Sequence, residues 1–211
     1  MTDFTKYKAI FWDFDGVLMD SMPVRDRGFQ LVLASYPDQE VEQLLVYHRQ
    51  NGGLSRYVKF RHFFEVIRRE TITEPEVLTL AEEFSQVMRK ELLNIELLIH
   101  DSIAFIKENY QDYKMHVVSG SDQNELRYLC QQLQLDGYFI SIHGSPTPKK
   151  QLVADLLKEF EYPSETVAFI GDSINDWEAA SSNRVDFFGY NNVQMKGLGV
   201  DYINSFTSYD R

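Results

Sequence analysis

With 211 residues the chain is long for one typical domain and short for two, so a core carrying one sizeable insertion is the first expectation. A formal charge of −11 argues against nucleic acid or an anionic membrane surface as a partner, so an anionic substrate must meet a local positive site. Cys130 is the single cysteine, no apolar run approaches the roughly 18 residues of a membrane span, and MTDFTKYKAIFW lacks a signal-peptide layout; a cytoplasmic protein with a buried, reduced thiol is expected.

Residues 8–14 (KAIFWDF) form a short apolar run that ends in acidic residues and Gly16, the pattern of a buried parallel strand stopping at a functional loop. Residues 21–97 then hold helical patterns and no convincing strand. Amphipathic stretches fall at 23–36, 39–50, 55–70 and 74–93, with proline near the start of the first and last, where a missing amide costs little. Ser21 is placed to cap the first. Four more apolar runs, at 114–120, 137–144, 166–172 and 185–190, predict further strands. Helical patterns at 101–110, 122–135, 149–160 and 174–183 separate them or lead into them. The tail after Gly199 is expected to add a short edge element. Such alternation implies a doubly wound, mainly parallel Rossmann-like α/β sheet with its loops gathered at the strand C-terminal ends. Residues 1–20 and 98–211 are assigned to that core and 21–97 to an inserted α-helical cap.

Asp13 and Asp15 stand at i and i+2 where the first strand ends, and Gly16 lets the backbone turn sharply. One carboxylate can attack phosphorus while the other manages a proton; the plainer reading is that acidic residues close a strand and open a turn. GDSINDWEAA repeats the theme. Its Asp172 and Asp176, four residues apart, can face one loop mouth as hard oxygen ligands suited to magnesium, or Asp172 or Ser173 can simply cap a helix. Ser119 and the amides of Gly120 and Ser121 lie at a third strand end, where they can hold a phosphate or form an ordinary N-cap. Lys149 and Lys150 open a helix, an unfavourable place for positive charge, which points to a local task such as neutralising a phosphate and an aspartate.

In this order, on successive strand ends, these motifs resemble the haloacid dehalogenase superfamily of hydrolases and phosphotransferases over nearly the whole chain. The resemblance implies that Asp13 is the nucleophile and a metal ligand, and that Asp15 is the general acid/base, ligating Mg2+ through its backbone carbonyl. Asp172 is then the remaining ligand and Asp176 its supporting acid. Ser119 corresponds to the phosphate-binding hydroxyl. Lys149 corresponds to the motif lysine, because Leu152, Val153, Leu156 and Leu157 follow at the expected offsets; Lys150 is the alternative. The insertion after the first motif is similar to the family's C1-type cap, found in phosphoglycolate phosphatase-like and β-phosphoglucomutase-like members. HRQNGGLSRYVKF sets Gly52, Gly53, Ser55 and Arg56 at a helix start with Lys59 one turn on, and resembles the substrate loop of the latter caps. Arg56 is expected to bind a second anionic group or sugar hydroxyls, against the alternative of a glycine turn and a surface basic helix. His48 reads as packed or surface, and Tyr57, Phe60, Phe63 and Phe64 as cap packing.

The expected activity is Mg-dependent hydrolysis of a small soluble phosphomonoester, a sugar phosphate or a phosphorylated acid, through an aspartyl phosphate. A sugar-phosphate mutase would share every core motif. A non-catalytic binding protein on this fold would be expected to have lost some core carboxylates, and all are present. Carbon–halogen cleavage is set aside because such members lack the second aspartate of the DxD pair.

Overall fold

Strand β1 (Ala9–Trp12) is buried along its whole length. In the computed structural model, which describes residues 4–206, its side chains alternate between two apolar layers: Ile10 and Trp12 join one, Ala9 and Phe11 the other. That is the two-residue period of a strand covered on both faces. Strands β2 (Lys114–Asp122) and β4 (Val167–Gly171) pair in parallel on either side of β1. Beyond them lie β3 (Ser141–Ser145) on one side, and β5 (Asp186–Tyr190) and β6 (Asp201–Ile203) on the other. The result is a six-stranded parallel sheet in the order β3-β2-β1-β4-β5-β6. The chain's winding direction reverses at β1, and such a switch point opens a crevice at the strand C-terminal ends.

Four helices lie between β1 and β2 in sequence ahead of the sheet's own: α1 (Met22–Val32), α2 (Asp38–Gln50), α3 (Arg56–His62) and α4 (Glu74–Glu91). They pack on one another through Phe29, whose ring centroid is 4.5 Å from Phe84 and 5.4 Å from Phe60. The helix expected over 55–70 changes character after His62, widening into a π-helical turn over Phe63–Arg68. The wider turn lets two consecutive rings face inward: Phe63 and Phe64 sit 5.3 and 5.5 Å from Tyr36. Helix α4 opens with a capping box between Thr73 and Glu76.

Helices α5 (His100–Asn109) and α6 (Gln123–Gln132) cover one sheet face through Ile106, Leu126 and Leu129. Helices α7 (Lys149–Glu159) and α8 (Ile174–Ser182) cover the other through Leu152, Leu156 and Ala180. Cys130 is buried on α6. The sheet departs from the sequence reading at two ends. Strand β2 continues to Asp122, beyond residue 120, and β3 begins at Ser141 after a 3-10 turn over Asp136–Tyr138. As the edge strand, β3 forms only alongside the part of β2 that pairs with it, from His116 onward. Among the described residues no helix is long and apolar enough to cross a membrane.

Candidate active site

Asp13 directly follows β1, and its amide donates to the Ile170 carbonyl of β4 at 3.0 Å, so the sheet fixes where the side chain emerges. The Phe14 amide donates to its Oδ1 at 2.8 Å. Next comes a tight flap whose pivot is Gly16, with φ +76°, a conformation L side chains rarely adopt. A Cβ at Gly16 would also run into the Asp172 carboxylate, so glycine is required twice over. Asp172 follows β4, and Ser173 and Asp176 form a capping box on α8: the Asp176 Oδ2 accepts from the Ser173 amide at 3.0 Å and from its hydroxyl at 2.7 Å. The helix cap and the acidic cluster are therefore one construction.

Oxygens of Asp13, Asp172 and Asp176 lie within 4.8 Å of one another. The Lys149 ammonium, from the first turn of α7, lies 3.0 Å from Asp13 and in contact with Asp176. Lys150 is exposed and lines the outer cleft. Burial raises the pKa of Asp13 to about 8, with the Asp176 charge adding to the rise and Lys149 opposing it. The same causes, burial first and then Asp176 and Asp13, raise Asp172. Burial alone would lower Lys149, but the two facing carboxylates outweigh it and keep the lysine charged. Three carboxylates thus face one ammonium, a donor set short of positive charge and made of hard oxygens; it is compatible with a divalent cation.

Asp15 has different surroundings. It accepts from Arg25 Nε at 2.7 Å, from the Ser121 hydroxyl at 2.5 Å and from the Ser21 hydroxyl. Burial pushes its carboxyl up, but the Arg25 charge and the two hydroxyls outweigh that and bring its pKa down to about 2. Two acids separated by one residue are driven in opposite directions by what faces them. Ser21, expected to cap α1, makes no such cap, because its hydroxyl is spent on Asp15. Ser119 is buried on β2, and its Oγ accepts from the Ser121 amide at 3.1 Å. Asp122 caps α6 by accepting from the Asn124 and Glu125 amides, each at 3.0 Å.

The loop between α2 and α3 reaches down onto these strand ends. A Cβ at Gly53 would lie 2.8 Å from Asn175 Cβ and Ser173 Oγ, and one at Gly120 would strike the Gly53 carbonyl. Both glycines permit backbone contact across the crevice. Ser55 caps α3, accepting from the Val58 amide at 3.4 Å. Arg56 does not point to solvent: it is buried, donating at 2.6 Å to both Glu125 of α6 and Ser85 of α4, with its guanidinium 4.6 Å above Phe84. A cleft of about 400 Å³ opens beside Lys149, bordered by Gly53, Gly120, Ser145, Lys150 and Asn175.

Sequence reasoning passed over Glu125, Asn191 and Asn192, and set Arg25 and Arg27, near the hinge, aside as less informative. Arg25 lies four residues after Ser21, hence on the same helical face, which was the available signal. The adjacent asparagines after β5 mark a turn whose side chains steady both acidic loops: Asn191 donates to the Gly16 carbonyl at 3.0 Å and Asn192 to the Asp172 carbonyl at 2.7 Å.

A family model described as haloacid dehalogenase-like hydrolase matches residues 7–183. The chain is 24% identical over 213 residues to a phosphoglycolate phosphatase of Haemophilus influenzae, covering 94% of each. It is 25% identical over 186 residues to a phosphorylated carbohydrates phosphatase of Thermotoga maritima, covering 85% of this chain and 82% of the relative. Among solved structures, a β-phosphoglucomutase from Clostridium difficile superposes with a TM-score of 0.75 at 15% identity, over 97% of this chain and 93% of that one.

Proposed function

Because the chain belongs to the haloacid dehalogenase-like hydrolases, we propose that it is a Mg2+-dependent phosphatase that hydrolyses a small phosphomonoester through an aspartyl phosphate on Asp13. The observation that carries this reading is the convergence of Asp13, Asp172 and Asp176 on Lys149 at the C-terminal edge of the sheet. The names of two relatives, acting on phosphoglycolate and on phosphorylated carbohydrates, support the substrate class. Residues 21–97 act as the lid over that edge.

Lys149 and the Phe14 amide both engage Asp13 Oδ1, so Oδ2 is the attacking oxygen. It forms a bond to phosphorus as the bond from phosphorus to the ester oxygen breaks, and the ester oxygen leaves with a proton from Asp15. Ser119, the Gly120 amide and Lys149 hold the phosphoryl oxygens. Asp15, again a carboxylate, then takes a proton from the water that attacks the aspartyl phosphate, which frees phosphate and Asp13. Its low pKa suits this second, basic role; to serve as the acid, Asp15 must first be released by Arg25. The carboxylates of Asp13 and Asp172 and the Asp15 carbonyl would hold Mg2+, supported by Asp176. A bound Mg2+ supplies charge neutralisation that lets an anionic nucleophile meet an anionic phosphate.

The direct test is release of inorganic phosphate from a panel of sugar phosphates, nucleotides and phosphorylated acids, with Mg2+ and with chelator. No release by folded protein from any of them would falsify the reading. Metal binding should also be pH-dependent. The raised folded pKa of Asp13 means that its contribution to stability is full below about 4 and is lost as pH rises through about 8. A cation needs the carboxylate, so Mg2+ should bind more tightly at pH 8 than at pH 6 and release a proton on binding. Calorimetry in two buffers of different ionisation enthalpy measures that proton; identical heats would remove the assignment of Asp13 as a ligand.

Closure of the lid depends on Gly53. Gly53→Val would place methyl groups against Ser173 and Asn175, holding the loop off the core, and is expected to lower kcat/KM by roughly 10²-fold, the scale of an ångström-level misplacement. An unchanged melting temperature alongside that loss would tie the effect to closure, whereas undiminished activity would refute it.

A further inference from the structure

We propose that Glu125 is a positioning residue for Asp15: it holds the Arg25 guanidinium to a single hydrogen bond with Asp15, so that Asp15 stays free to turn a proton toward the ester oxygen. The inference rests on the phosphatase reading above and assigns a residue to which that reading gives no part.

Glu125 stands in the first turn of α6, wholly buried, just past the strand that carries Ser119 and Gly120. Its amide donates to Asp122, which fixes that turn. Among the described residues its side chain accepts from two donors, both buried arginines of the lid: Oε1 from Arg25 Nη1 at 3.2 Å and Oε2 from Arg56 Nη1 at 2.6 Å. A buried carboxylate gains little net stability from such pairs, so packing alone gives no reason for a charge here.

Arg25 reaches two acids at once. Its Nε donates to Asp15 Oδ1 at 2.7 Å while Nη1 turns to Glu125, and Nη2 has no hydrogen-bond partner. Nε and Nη2 lie on one edge of the planar guanidinium, an edge that grips a lone carboxylate through two parallel bonds. Only half of it is used on Asp15. The pull of Glu125 on Nη1 accounts for the half-made fork, because rotating the rigid plane to complete it carries Nη1 off Glu125. Without that pull the fork closes, and a carboxyl gripped by a cation at both oxygens, with Ser21 and Ser121 also donating to it, has no oxygen free for a proton. Arg56 holds Glu125 Oε2 and so keeps Oε1 facing Arg25. Both arginines belong to the lid and Glu125 to the core, so seating the lid assembles the arrangement.

The test compares an alkyl phosphate with p-nitrophenyl phosphate, whose phenolate leaves without a proton. Glu125→Gln should lower kcat/KM for the alkyl ester by roughly 10- to 100-fold, part of what a positioned acid supplies, and leave the aryl ester nearly unchanged. Glu125→Asp keeps the charge but retracts it, should show the same selective loss to a smaller degree, and serves if Glu125→Gln does not fold. In an Arg25→Lys background, where no fork can form, Glu125→Gln should cost the alkyl ester little more. Equal losses for the two esters, or an undiminished alkyl penalty in the Arg25→Lys background, would overturn the proposal and leave the phosphatase reading intact. A crystal structure of the Glu125→Gln protein gives a readout without turnover. Nε and Nη2 of Arg25 both bonded to Asp15 would support the proposal even if no ester is hydrolysed; an unmoved Arg25 would sink it.

Discussion

Asp13→Asn should abolish phosphate release, lowering kcat by roughly 10⁴-fold or more, as loss of a covalent nucleophile does elsewhere, while the protein remains folded. A carboxamide has the shape of the carboxylate but cannot give a stable acyl phosphate, so the first bond to phosphorus is lost. Stability should change little or rise slightly, because burial already makes the Asp13 charge unfavourable, as its pKa of about 8 records. The check combines steady-state turnover, a melting curve and acid-quenched trapping of labelled phosphate on the protein. Wild-type protein should retain label after the quench and the variant should not. Substantial turnover in the variant would transfer the nucleophile's role to another group.

Lys149→Met should be the other severe change, and it should strike both activity and stability. Lys149 is the only cation in contact with Asp13 and Asp176 among the described residues, and methionine replaces it with nearly the same volume and no charge. Loss of a preorganised positive group at a developing transition state costs about 10²- to 10³-fold in kcat. Removing one partner of a buried ion pair costs about 3–5 kcal/mol while the abandoned acids stay ionised. They need not stay so: protonation relieves them, and the relief is available at low pH. Without Lys149 the folded pKa of Asp13 rises further, so the stability it contributes is lost as pH rises. The variant's melting temperature should therefore fall further below wild type at pH 8 than at pH 6. A deficit independent of pH would contradict the electrostatic account and leave lost packing as the cause.

Acids at the ends of strands, the glycine at the first turn and the alternation of strand and helix were legible because each is a short-range property of the chain. A strand buried on both faces needs a continuous apolar run, as in AIFW, and a loop that turns at φ +76° against a carboxylate needs glycine, as at Gly16. The same holds for the lysine at the start of α7, whose oddity as a cation at a helix N-terminus is visible within one turn.

What no local pattern could supply was which of those side chains would be buried and what would face them. From the sequence Arg56 is either a ligand-binding arginine or part of a surface basic helix; only the fold shows that it is buried against Glu125, 69 residues away. Arg25 looked uninformative beside Arg27 until folding placed Glu125, 100 residues on, and Asp15 on either side of it. Ser21 had the sequence of a helix cap and became a donor to Asp15. The opposite shifts at Asp13 and Asp15 likewise follow from what faces each carboxyl: burial and Asp176 raise the first, and Arg25 with two hydroxyls lowers the second. The sequence by itself determined which acids arrive at the crevice, because strand and turn formation depend on neighbours along the chain; only the tertiary structure decided their charge, because desolvation and Coulomb interaction depend on neighbours in space.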